Sequence, residues 1–570
     1  MTHPPQQSSA PRNRTRTDEI AEAHLTTGAD LDPVGATLDG ITGYEDRLTD
    51  YSPDGHRARL RAARDTLRAL EGAAAEDGTD RITLAALTER LELQVERHEA
   101  GLPQRDLNNI VCPVQHIRQA FDLADTDTVA GWESIAVRLP QVDRALDGYR
   151  ASLQEALDGG WRPAVRQVKV LAGQCREFAG AEGFYTGLAA RAAGTGGVPQ
   201  NLLAGLESGG TGAADAHGRL ADWLTGEVLP RARQEDGVGR ELYPLCARSF
   251  LGTDIDLQAT YDWAFEELHR IERQMADVAR RIDPQAVGEG AVGTAVAALD
   301  ADPARNLTSP VAFRDWMQQI SDAAVQSLAG THFDIPAPLR ELRCRIAPTT
   351  SGVVYYTPPS EDFARPGQMW WSVPDGTTTF STWRETSTVY HEGVPGHHLQ
   401  IAGVLHHGET LNRWRRVGCW VSGYGEGWAL YAERLMEELG YLQDPGDLMG
   451  MLDAQALRAC RVIVDIGVHC ALRAPQEVGG GTWDAQRAWT FLRSHTRVPE
   501  AGLRFELDRY LGWPGQAISY KVGERLWTGL REEVRTREGS KFDLRRFHTR
   551  ALGLGAVGLD VLRGALLQDL

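Results

Sequence analysis

The sequence predicts a mainly α-helical protein with one small β-sheet. Three observations carry this. Apolar residues recur at three-to-four spacing through most of the 570 residues. Three short β-branched or aromatic runs cluster between 342 and 373. The helical period then returns after Ser381 and persists to the C-terminus.

Residues 1–17 contain no apolar run. They read as a disordered leader, not a secretory signal. Residues 18–340 form the helical N-terminal region. The stretch 56–70 alternates apolar and basic residues at helical spacing, and 82–98 places Leu84, Leu87, Leu91 and Val95 on one stripe. The same pattern recurs at 142–157, 165–178, 214–229, 261–282 and 313–328. Glycine-rich runs at 194–197, 209–212 and 288–293 read as loops. No repeat of fixed period is present.

Residues 341–570 form the second region. The runs 342–347, 352–357 and 368–373, bounded by Pro, Gly and Asp, read as strands. The last is a candidate to pair with an extended peptide by strand addition. Thr382 and Glu385 have the spacing of a capping box, which starts a helix at Thr382.

Net charge is -18 and the sequence pI about 5.4. That excludes nucleic acid and an anionic membrane as main partners. No apolar run is long enough to span a bilayer. The seven cysteines are scattered, with no C-x-x-C pair, and read as buried thiols in a reducing cytoplasm.

The most informative segment is Tyr390-His391-Glu392-Gly393-Val394-Pro395-Gly396-His397-His398. A His-Glu pair followed by a second His one turn later builds half of a zinc site, with the glutamate as general base. Here Pro395 occupies the position of the second ligand. On an ideal helix His398 shares the face of His391 but lies roughly 10 Å further along, and His397 points about 120° away. A two-residue bulge at 394–396 returns His397 to the required place. His397 is the preferred second ligand and His398 the alternate.

Downstream, Glu426 and Glu433 are seven apart and share a helix face. Glu426 is the candidate third ligand. Glu433 is the alternate, or a carboxylate that holds a ligand histidine. Arg461, Asp465 and His469 are spaced by four along an otherwise apolar helix and need partners if buried. An Arg461–Asp465 pair is the structural reading. His469 is either a core histidine or a transition-state donor. Pro514 fits the first turn of a new helix, with Tyr520 nearly two turns on. The Tyr520 hydroxyl is a candidate oxyanion donor.

Taken together, HEGVPGHHLQ at 391–400, EGWALYAE at 426–433, DIGVH at 465–469 and PGQAISYKVG at 514–523 resemble the bacterial family called domain of unknown function 885. That family is similar to the gluzincin metallopeptidases of the thimet oligopeptidase and angiotensin-converting enzyme type. The closing FHTRALGLGAVGLDVL at 547–562 also looks like the family's, with Gly558 where a proline is expected. The resemblance implies a helical fold whose two regions pack around one cleft, and a bound zinc ion. His391, His397 and Glu426 would be ligands, Glu392 the base, and Tyr520 and His469 transition-state helpers.

The expected function is therefore a zinc-dependent hydrolase of peptide or peptide-like amide bonds in short substrates. One alternative keeps the metal but takes an amide in a small metabolite. Another is a non-catalytic scaffold or binding protein.

Overall fold

The computed structural model describes residues 12–567, apart from 289, 348–353 and 375. It is mainly helical, with few and short strands. Of the expected leader, 1–11 lie outside the described residues. Residues 12–17 are tied to the rest of the protein. The Arg12 guanidinium meets the carboxylates of Asp18, Asp77 and Asp80. The helix Arg16–Leu31 starts behind Thr15, whose hydroxyl accepts from the Asp18 N–H. Ion pairing orders these residues, and composition alone does not reveal it.

Most periodic stretches form helices near their expected bounds, among them Pro53–Glu71, Gly78–Glu99, Val142–Asp158, Val165–Phe178 and Leu257–Ile282. Two glycine-rich runs are not the loops expected. The helix Gln200–Trp223 passes straight through 209–212, and Ala291–Ala301 begins inside 288–293. At Gly209 a Cβ would stand 2.9 Å from Leu139 Cβ, and at Gly210 2.5 Å from the Tyr185 carbonyl oxygen. These glycines permit close packing rather than turns.

One apolar cluster runs from Ile20 to Leu567 and draws on both expected regions. A second, from Tyr51 to Val228, lies within the N-terminal part alone. The boundary near 340 therefore does not divide the core.

Among the described residues there are two small sheets rather than the one expected: Asn306–Leu307 pairs antiparallel with Phe380–Ser381, and the larger sheet has three strands, β1 (Leu342–Ile346), β2 (Val354–Thr357) and β3 (Gly367–Trp371). β3 is central, parallel to β1 and antiparallel to β2. Both its edges are occupied, so it cannot accept a peptide strand as expected; the outer strands are β1 and β2. Phe313, Met369, Trp371 and Val389 pack beneath the sheet and tie it to the helix that follows.

Four helices frame the site: α1 (Thr382–Glu392), α2 (Ser422–Glu438), α3 (Pro445–His469) and α4 (Ser519–Glu538). Glycines set their spacing. A Cβ on Gly450 of α3 would lie 2.1 Å from the Trp383 carbonyl oxygen of α1. On Gly427 of α2 it would lie 2.5 Å from the Gly523 carbonyl carbon of α4. The hydroxyls of Ser422 and Ser519 meet at 2.8 Å beside that second crossing. Backbone-to-backbone approach of this kind leaves little freedom for the side chains on the adjoining turns.

Candidate metal centre

The His-Glu pair closes a helix, and the rest of the motif leaves it. α1 begins at Thr382 as expected, but Ser381 is its N-cap, with no side-chain capping bond; the Thr382 hydroxyl donates to the Arg305 carbonyl instead. α1 then ends at Glu392. Proline supplies no N–H and restrains the residue before it, so Val394-Pro395 cannot continue the helix. The chain turns through 393–396 and becomes helical again at His397. Gly396 must be glycine, because a Cβ there would lie 1.9 Å from the His391 carbonyl oxygen. α2 holds the turn in place. Trp428 Nε1 donates to the Pro395 carbonyl at 2.9 Å, and Gln400 donates to the Tyr424 carbonyl at 3.2 Å.

This turn brings His397 back beside His391, with ring centroids 4.8 Å apart. One donor atom each from His391, Glu392 and His397 lie within 4.8 Å of one another, and all three residues are buried. Glu426 joins them from α2. Its Oε2 is 3.4 Å from His391 Nε2 and 3.6 Å from His397 Nε2. Ligands about 2.0–2.1 Å from a tetrahedral zinc stand roughly 3.3 Å apart, close to the two separations from Glu426 to the histidines. Glu426 Oε2 and His397 Nδ1 are buried with no hydrogen-bond partner.

Glu433, one of two alternates for a ligand, has a different place. Its Oε1 accepts from His391 Nδ1 at 2.8 Å, which leaves the Nε2 lone pair facing Glu426. Arg458 of α3 stands 3.9 Å behind Glu433. His398, the other alternate, has no free nitrogen. Its Nε2–H donates to the Leu339 carbonyl and its Nδ1 accepts from the Tyr356 hydroxyl, both at 2.9 Å. Burial holds it neutral, down to about 4.

Acidic groups dominate the cluster. Burial disfavours the charge on Glu426, but the two imidazoles outweigh it and hold its carboxyl well below the usual range. Burial also opposes charge on His391, yet Glu426 and Glu433 raise it to about 9. Burial pushes Glu392 up, against the pull of His397 and His391. A cation among these oxygens would replace the proton on His391.

His469 is a correction. Its Nδ1 accepts from the Val238 N–H at 3.3 Å and its Nε2–H donates to the Tyr510 carbonyl at 2.9 Å. The ring stacks on Tyr243 and burial holds it neutral, so it is a core histidine and not a transition-state donor. Nor does Arg461 pair with Asp465. Arg461 binds Glu506 and Tyr510, while Asp465 accepts from the Tyr243 hydroxyl and the Gly515 N–H. Pro514 lies in a turn, and α4 starts only at Ser519. Tyr520 is therefore in the first turn of α4. Its hydroxyl accepts from Arg509 at 3.2 Å, and the Arg461 guanidinium lies 4.8 Å over its ring. The crossing at Gly427 and Gly523 sets this turn against the one that carries Glu426.

The roomier cavities lie elsewhere. One of about 530 Å³ is lined by Arg97, Asp106, Trp161 and Trp513 among others, and one of about 720 Å³ by His469 and Trp483. Neither is lined by His391, Glu392, His397 or Glu426. Converging donor atoms, rather than cavity size, single out this site. Sequence reasoning missed Arg458 and Trp420, which lie outside the motif residues. The ring of Trp420 is 6.4 Å from that of His397.

Fold and cluster together define a mainly helical protein with a buried His–Glu centre. A family model described as "Bacterial protein of unknown function (DUF885)" matches residues 33–566, and the chain belongs to that family. No curated protein matches the chain. Among solved structures it is similar to a candidate lipoprotein from Colwellia psychrerythraea, at 22% identity and TM-score 0.83, covering 97% of this chain and 99% of that one. It is also similar to a candidate lipoprotein of unknown function from Shewanella oneidensis, at 16% identity and TM-score 0.74, with coverage of 97% and 99%. At these identities the likeness concerns the fold. No helix among the described residues is long and apolar enough to cross a membrane.

Proposed function

We propose that this protein is a zinc-dependent hydrolase of peptide or peptide-like amide bonds in short substrates, working in the cytoplasm. The carrying observation is the convergence of His391 Nε2, His397 Nε2 and Glu426 Oε2, with the Glu392 carboxyl beside them. This donor set suits zinc, which when bound supplies a Lewis acid and lowers the pKa of water. It also extends the resemblance to the gluzincin peptidases.

Each residue then has a task. His391 and His397 would present their Nε2 lone pairs to the cation, and Glu433 holds His391 in that tautomer by accepting from its Nδ1–H. The Glu392 carboxylate takes a proton from the attacking water and passes it to the departing amine. The Tyr520 hydroxyl has its proton free to donate to the developing oxyanion, since it accepts from Arg509. The seven free, buried thiols support a reducing compartment.

The test is Glu392→Gln, assayed on a panel of dipeptides and acyl-amino acids. Turnover lost with fold and zinc content intact supports the reading. Full retained turnover overturns the role of Glu392, and a wild-type protein that takes up no zinc overturns the whole proposal.

A further inference from the structure

We infer that Trp420 is the aromatic wall of the His391–Glu392–His397 centre and selects substrates with a flat apolar group beside the scissile bond. This rests on the hydrolase reading above.

Trp420 is 49% exposed, and no other tryptophan stands among the exposed large apolar side chains of the described residues. Its position is built rather than incidental. The indole lies on the backbone of α2, where a Cβ at Gly425 would stand 2.2 Å from its Cη2 and 2.5 Å from its Cζ2. Glycine at 425 is what lets the ring lie there, one residue from Glu426. On its other side the ring centroid is 6.4 Å from that of His397, with the planes at 59°.

The burial of the cluster gives the direction of approach. The side chains of Glu433 and His391 are 1% and 5% exposed, against 9% for His397 and 18% for Glu426. The centre therefore opens to solvent on the side of Glu426 and His397, where Trp420 stands. A carbonyl that reaches the centre from that side carries its flanking group past the indole. An indole exposed on one side offers dispersion and quadrupole contact to a planar ring, and much less to a methyl group. The His397 ring and the Gly425 backbone lie against the indole, and what the indole adds is a preference for shape and polarizability.

The probes are acetohydroxamate and benzohydroxamate, two bidentate metal ligands that differ in methyl against phenyl. Their affinities for the zinc-loaded full chain are measured by calorimetry and expressed as a ratio. Trp420→Ala is expected to lower the preference for benzohydroxamate about 3- to 10-fold, and Trp420→Phe by less. Gly425→Ala, which pushes the indole off α2, is expected to lower it with Trp420 still present. Zinc content and melting temperature are followed for each variant. If Trp420→Ala does not fold, Trp420→Phe and Gly425→Ala decide the matter. A ratio unchanged in folded, zinc-loaded variants overturns the role of Trp420 and leaves the hydrolase reading standing. If neither hydroxamate binds the zinc-loaded wild type, the hydrolase reading falls and this inference with it.

Discussion

Glu433 Oε1 lies 2.8 Å from Nδ1 of His391, on the opposite side of the imidazole from Glu426. The two glutamates are seven residues apart on one helix and grip the two nitrogens of a single ring. One fixes the tautomer; the other faces the lone pair that results. Replacing Glu433 with Ala should therefore lower zinc affinity about 10- to 100-fold although every candidate ligand remains. Glu433→Gln, which keeps an acceptor oxygen, should do less. Competition with a chromophoric chelator measures both.

The neighbouring histidines 397 and 398 should separate cleanly. His397→Ala is expected to abolish zinc binding, and His398→Ala to keep it. The second variant should instead lose about 1–3 kcal/mol of stability, because the buried Leu339 carbonyl and Tyr356 hydroxyl lose their partner. Zinc content and urea unfolding of the two proteins check this. Zinc lost with His398→Ala would mean that its ring turns toward the centre.

Gly427→Ala probes the crossing of α2 and α4. Its Cβ would meet the Gly523 backbone at 2.5–2.6 Å, where no flexible side chain can yield. The expected cost is on the order of 1–3 kcal/mol. Zinc affinity should fall as well, since the adjacent Glu426 moves with the helix. A melting curve and metal titration matching wild type would show that the helices part without disturbing the centre.

Asp465 should shape the pH dependence of stability. Burial pushes its carboxyl from an ordinary 3.8 up to about 7 in the folded protein. Between those values the folded chain holds a proton that the unfolded chain has released. Stability from this group is thus present below about pH 4 and lost as pH rises toward 7. Asp465→Asn keeps an oxygen for the Tyr243 hydroxyl and the Gly515 N–H but removes the titration. Relative to wild type, the variant should gain on the order of 1–3 kcal/mol between pH 4.5 and 7.5. Chemical unfolding at the two pH values reads it, and a parallel pH profile for the two proteins would refute it.

Much of the centre is legible in the chain. His391, Glu392, His397 and Glu426 come together as their types and spacing suggest, and Glu433 takes the supporting position that was one of its two readings. The local signals that worked are strong ones: a helical period, and β-branched runs between turn residues; the bulge expected at 394–396 is instead a full break, with α1 ending at Glu392. The misreadings share a cause. Gly209 and Gly210 look like a loop because the groups that press on them, Leu139 and Tyr185, are distant in sequence. Arg461 and Asp465 look like a pair on one helix face, but Glu506 and Tyr243 arrive from elsewhere and take them separately.

The sequence alone determined the helical class, the small sheet, the interruption at Pro395 and the donor types available, since each depends on backbone preference or periodicity within a few residues. Tertiary structure decided which donors are free. His398 and His469 are the same residue type as His397, but both nitrogens of each are taken, by Leu339 and Tyr356 in one case and by Val238 and Tyr510 in the other. It also decided that Glu426 faces the histidines while Glu433 stands behind one, and that Trp420 lies at the opening. A buried polar group binds whichever partner packing brings within about 3 Å, and that partner is set by how helices cross, not by its distance along the chain.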